Sequence, residues 1–131
     1  MKVEIVRTFA ALAFFACTEV AAQAQSLPGS LSGRWTFTTD GATQVFSLDA
    51  IKVQPDNTFT ANLTWWQTNP WCAIREQPIV GRQTETGIEF DVPRKCNIQY
   101  MVELNRTSSG WVGKAWSSMR GFGLWLDLKA N

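Results

Sequence analysis

The chain has 131 residues, no histidine, and 12 Lys and Arg against 11 Asp and Glu. A near-balanced charge lacks the basic footprint that nucleic-acid binding requires, and no nucleic-acid partner is expected. Without histidine there is no His-based triad, no HExxH zinc site and no histidine-ligated haem, so neither metal nor cofactor is expected.

Residues 1–24 read as an export signal. Lys2 and Arg7 give a basic start, an apolar run follows from Thr8 to Cys17, and Ala22-Gln23-Ala24 forms an A-x-A cleavage site. The run is about ten residues, against roughly 20 needed to cross a bilayer, so no membrane span is expected. Cys17 is open to a second reading, as a lipid-modified cysteine. Residues 25–131 keep ten bases and nine acids, a net charge of +1. Their length suits a single domain with one modest core.

From residue 34 onward the pattern has period two, broken by turn residues. Strands are expected at about 34–39, 45–54, 58–66, 75–82, 87–92, 98–105, 111–117 and 123–129. Trp35 and Phe37 share a face in the first. The second changes phase, from Phe46 and Leu48 to Ile51 and Val53, which predicts a bulge near Ala50. Phe59, Ala61, Leu63 and Trp65 line the third. Ile88, Phe90 and Val92 line the fifth, and Ile98, Tyr100, Val102 and Leu104 the sixth. Leu124, Leu126 and Leu128 line the last. Residues 25–33 are expected to form a short extended arm.

Eight short strands with tight turns predict an all-β fold: an eight-stranded antiparallel up-and-down barrel, which closes to leave no edge. Cys72 and Cys96 are the two cysteines after the signal, and an oxidising compartment would pair them. In a meander, successive loops alternate between ends. Cys72 follows strand three and Cys96 follows strand five, so both fall at one end. Closing the 23 residues between them is worth about 3 kcal/mol in the chain-entropy model.

Leu31-Ser32-Gly33-Arg34-Trp35 resembles the G-x-W opening of the calycin-type small barrels, the avidins and lipocalins. Cys72, Pro78-Ile79-Val80-Gly81-Arg82, Ile88-Glu89-Phe90-Asp91-Val92 and Cys96 resemble the middle of the disulfide-bearing avidins. Gly110-Trp111-Val112-Gly113 resembles their Gly-Trp-x-Gly strand, one strand later. The resemblance implies a ligand-binding barrel. Biotin is not carried over, because Thr36-Phe37-Thr38-Thr39-Asp40 puts Phe37 where avidins have small polar residues. The opening, size and single disulfide are also similar to those of the small periplasmic inhibitors of secreted metalloproteases. In those, the first cysteine lies shortly after the opening Trp.

Glu89 and Asp91 share a strand face, roughly 6–7 Å apart, a spacing that glycoside hydrolysis can use. Ile88, Phe90 and Val92 take the inner face, which leaves the two carboxylates in solvent. No catalytic machinery is therefore expected. Seven tryptophans are many for this length. Trp35, Trp65 and Trp111 suit a filled interior. Trp66, Trp116 and Trp125 fall on the opposite phase, and Trp71 sits in the longest loop. Exposed tryptophans mark interfaces or stacking platforms, unless they cover one another.

These residues lead to one main expectation: a secreted or periplasmic, non-catalytic barrel that binds a small amphiphile or carbohydrate at a basic, Trp-rich mouth. Trp65, Trp66, Trp71, Arg75, Arg94, Lys95 and Arg120 are its candidate ligand-binding residues. The alternative is a protein-binding module, such as a protease inhibitor, that uses its loops and the N-terminal arm. A filled interior favours the alternative, and a cavity of a few hundred Å³ favours the first. A homodimer that buries Trp116 and Trp125 is a further expectation.

Overall fold

The computed structural model describes residues 27–38, 41–117 and 125–131. The export signal expected at 1–24 lies outside them, as do Asp40, Met119, Arg120 and Leu124. Eight strands run in order: β1 (Leu31–Phe37), β2 (Thr43–Val53), β3 (Thr58–Trp65), β4 (Ile74–Gln83), β5 (Gly87–Lys95), β6 (Ile98–Thr107), β7 (Gly110–Ser117) and β8 (Trp125–Ala130). Each pairs antiparallel with the next, and β8 closes onto β1, giving an up-and-down barrel. No described helix is long and apolar enough to cross a membrane.

The period-two pattern places the side chains. Phe59, Ala61, Leu63 and Trp65 of β3 are all buried, alternating with half-buried Thr58, Thr60, Asn62 and Thr64. Ile88, Phe90 and Val92 from β5 and Tyr100, Val102 and Leu104 from β6 join them in the core. Phe37 and Ile98 pack against it, half-buried. Large aromatics fill the interior. Trp35 stacks on Trp65 at 5.8 Å, Phe46 lies 5.5 Å from Trp65, and Tyr100 lies 5.7 Å from it on another side. Rings at these separations attract beyond their area of burial. Gly33 is required by this packing, because a Cβ there would meet the Phe46 ring and the Lys129 carbonyl.

The bulge expected near Ala50 is present. The β2–β3 register shifts between Asp49 and Lys52, and Ala50 has φ 52°. A second bulge, with Glu76 at φ 48°, bends β4 where its register with β3 shifts between Leu63 and Trp65.

The N-terminal arm is shorter than the sequence suggests. β1 begins at Leu31, three residues before the expected start, and pairs at once with Leu48. Leu27 packs against the core, and the Gly29 carbonyl accepts a bond from the Ile51 N–H beside the Ala50 bulge. Ser-Gly looks like a turn in sequence, but here it is strand. The described part of the arm is therefore docked on the wall rather than free to enter a partner's cleft.

Candidate functional site

In a meander, the β1–β2, β3–β4, β5–β6 and β7–β8 connections share one end. The disulfide stands there, between Cys72 and Cys96, with Cα atoms 5.5 Å apart. Cys96 and Asn97 have φ 53° and 61°, which makes the β5–β6 hairpin a two-residue turn of the primed kind, matched to the twist of the strands.

The β3–β4 connection contains a 3₁₀ turn, Pro70–Cys72. Asn69 organises it. Its side-chain oxygen accepts the Trp71 N–H at 3.1 Å, and its carbonyl accepts the Cys72 N–H at 3.0 Å. Cys72 is then tied to Cys96, and Lys95 Nζ donates to the Ala73 carbonyl at 2.6 Å. Trp71 sits in the middle of this pinned turn and is 85% exposed. No other large hydrophobic residue among those described is exposed to that extent.

The other expected site residues are split between environments. Trp65 is fully buried in the aromatic core, and its Nε1 has no hydrogen-bond partner. The Trp35 indole beside it does have one, donating to the Trp66 carbonyl at 3.1 Å. Trp66 faces outward, half-buried, and the Arg75 guanidinium lies 4.7 Å from its ring centroid. Arg94 is exposed and reaches Asn97 Oδ1 at 3.4 Å. Lys95 is held by Ala73. Arg120 lies outside the described residues. The expected mouth is thus not one cluster: Trp71 projects from its pinned turn, Arg75 lies over Trp66, Lys95 is bound to the Ala73 carbonyl, and Trp65 is sealed in the core.

Glu89 and Asp91 face the outer wall, as their phase requires, and Glu89 pairs with Arg82 of β4. Trp116 is half-buried on the outer wall, in register with Trp125. Among the described residues no group of three or more Cys, Asp or Glu is placed to hold a metal ion.

Sequence reasoning missed one surface. A groove of about 820 Å³ runs over the outside of β8, β1 and β2, and Trp66 lies at its margin. Its signal was available in the polar phase of β1, Ser32, Arg34 and Thr36, but its neighbours on β8 become adjacent only when the barrel closes.

Compared with known proteins, the chain matches no family model, no curated protein and no solved structure.

Proposed function

We propose that the chain is an exported, non-catalytic binding protein that grips a protein partner at its disulfide end, with Trp71 as the anchor. The carrying observation is the 85% exposure of Trp71 on a turn restrained by Asn69, the disulfide and Lys95. Leaving a tryptophan in water on a rigid support wastes hydrophobic free energy unless a partner covers it. Tryptophan leads the residue types that dominate protein interfaces, and a preorganised one loses little entropy on binding. The packed interior favours recognition at the surface over a ligand held inside the barrel. Arg75, Arg94 and Lys95 suit a partner with an apolar socket and an acidic rim. A secreted or periplasmic location belongs to the same reading, supported by the disulfide.

The test uses the oxidised protein and a panel of secreted metalloproteases and serine proteases, reading residual hydrolysis and complex formation. Inhibition that survives deletion of residues 25–30 and disappears in Trp71→Ala supports the proposal. Trp71→Ala should leave the melting temperature unchanged, because its side chain packs against little. An inhibitory complex indifferent to Trp71→Ala would overturn the anchor.

A second reading places a small amphiphile or carbohydrate at the same end, in the manner of avidins and lipocalins. One observation favours it: the buried Trp65 Nε1 has no protein acceptor. Buried donors are almost always paired, and ligands are among the groups that pair them. Titration of tryptophan fluorescence with fatty acids, biotin and oligosaccharides tests this reading. A saturable shift lost in Trp65→Phe would favour it over the protein partner.

A further inference from the structure

We infer that the groove over β8, β1 and β2 is a binding site for a carboxylated saccharide. It lies on the barrel wall rather than on the Trp71 turn, and does not rest on the function proposed above.

Strand register assembles the site in rows. Lys129 of β8 stands directly opposite Arg34 of β1, Arg34 stands opposite Val45 of β2, and the Val45 carbonyl accepts the Trp66 N–H at 3.1 Å. Two cations, an exposed apolar side chain and an indole therefore form one line across the groove. In the adjoining row Asp127 faces Thr36, and Thr36 faces Thr43. The two threonine hydroxyls are hydrogen-bonded at 3.0 Å.

The pairing of Arg34 with Lys129 is the unusual feature. Like charges directly opposite on antiparallel strands destabilise a sheet. No salt bridge to a described acid is recorded for Arg34 or Lys129. Asp127 lies two residues from Lys129 on the same face, but it also stands opposite a third cation, Lys114. With Asp127 and the Asn131 carboxylate also lining it, the groove carries no net formal charge, and its positive character is confined to where Arg34 and Lys129 meet. An anion bridging them would relieve the repulsion, and a carboxylate fits best, because the planar guanidinium can grip it through two parallel bonds.

The rest of the groove favours a sugar over a bare anion. Trp66 provides an aromatic surface fixed by Arg75. Thr36, Thr43 and Asp127 offer donors and acceptors at the spacing of adjacent strands. Arg34 and Trp66 are two strand spacings apart, roughly 10 Å, which is the reach of a disaccharide. A uronic-acid unit would place its carboxylate on Arg34 and Lys129 and the next ring beside Trp66.

The experiment is calorimetric titration of the oxidised full chain at low ionic strength with trigalacturonate, its methyl ester and a hexaglutamate peptide. Saturable binding is expected for trigalacturonate alone. Arg34→Gln should weaken it about tenfold, the scale of one lost charge-assisted contact, and Lys129→Gln several-fold. Trp66→Leu should also weaken it, and Trp71→Ala should not. Circular dichroism and melting curves of each variant establish that it is folded, and Arg34 and Lys129 are both exposed. No saturable binding by the wild-type protein, or unchanged affinity in the folded Arg34→Gln/Lys129→Gln double variant, would overturn the proposal. Equal binding of hexaglutamate would overturn it too, by showing that charge alone is read.

Discussion

Strands β6 and β7 run side by side through eight successive register pairs, from Tyr100 with Ser117 to Thr107 with Gly110, whereas β4 and β5 share two, Arg82 with Glu89 and Gln83 with Ile88. Both seams belong to one closed barrel, but they are held differently. The β6–β7 seam uses the backbone ladder. The β4–β5 seam is laddered only next to its turn. At its other end the Cys72–Cys96 bond and the Lys95 bond to the Ala73 carbonyl take over. Pro78 and Pro93 lie on the two facing strands and have no N–H to give, and the Glu76 bulge turns β4 further out of register. A crosslink thus replaces hydrogen bonds that the sequence denies. The same bond pins Trp71, so the weakest seam and the proposed contact share one support.

Removing the crosslink is the strongest way to break this contrast. Cys72→Ser with Cys96→Ser should cost about 3 kcal/mol by the loop-entropy relation, read as a lower denaturant midpoint. Hydrogen exchange should quicken first in residues 74–81 and 90–95 and last in β6 and β7. Uniform acceleration across the barrel would show that the two seams are equally sound.

The aromatic core offers a smaller contrast between neighbours. Trp35 and Trp65 stack on each other, but only the Trp35 indole N–H has an acceptor. Trp35→Phe should therefore destabilise by about 1 kcal/mol more than Trp65→Phe, the net worth of one hydrogen bond. Equal losses in chemical denaturation would mean that the bond contributes nothing.

Burial pushes the Tyr100 phenol above its usual 10.0, and a hydrogen bond with Gln67 pulls weakly the other way. The unfolded chain ionises first. The stability this group contributes is complete below about pH 10 and is lost as pH rises through the higher folded value. Tyr100 is the one tyrosine in the chain, so phenolate absorbance reports it directly. Ionisation at or below the free-tyrosine value would contradict a sealed core.

The smallest effect is expected at the laddered end of the β4–β5 seam. Arg82 and Glu89 form a largely exposed pair, and Glu89→Gln should cost about 0.5 kcal/mol, less in high salt. A larger loss would show that this pair helps the two ladder bonds hold the seam.

Much of the wall is legible in the sequence. Alternation along Phe59–Trp65 and Ile88–Val92 identified the inner face, because a strand that buries one side must repeat every second residue. The phase change after Leu48 announced the Ala50 bulge for the same reason. The positions of Cys72 and Cys96 relative to the turns were enough to place them at one end. The start of β1 was not legible, because Ser32 and Gly33 are turn residues by composition and become strand through pairing with Ser47 and Phe46. Trp66 could be placed outside by phase, but its partnership with Arg75 depends on how β4 bends at Glu76.

The sequence by itself determined the number of strands, the inner faces of β3, β5 and β6 and the crosslink between two loops, all of which follow from local periodicity and turn chemistry. Only the tertiary structure decided how the core aromatics stack, that β4 and β5 part company above Arg82, and that Arg34 meets Lys129. The last of these depends on barrel closure, which brings residues nearly a hundred positions apart into register, and no local pattern encodes that distance.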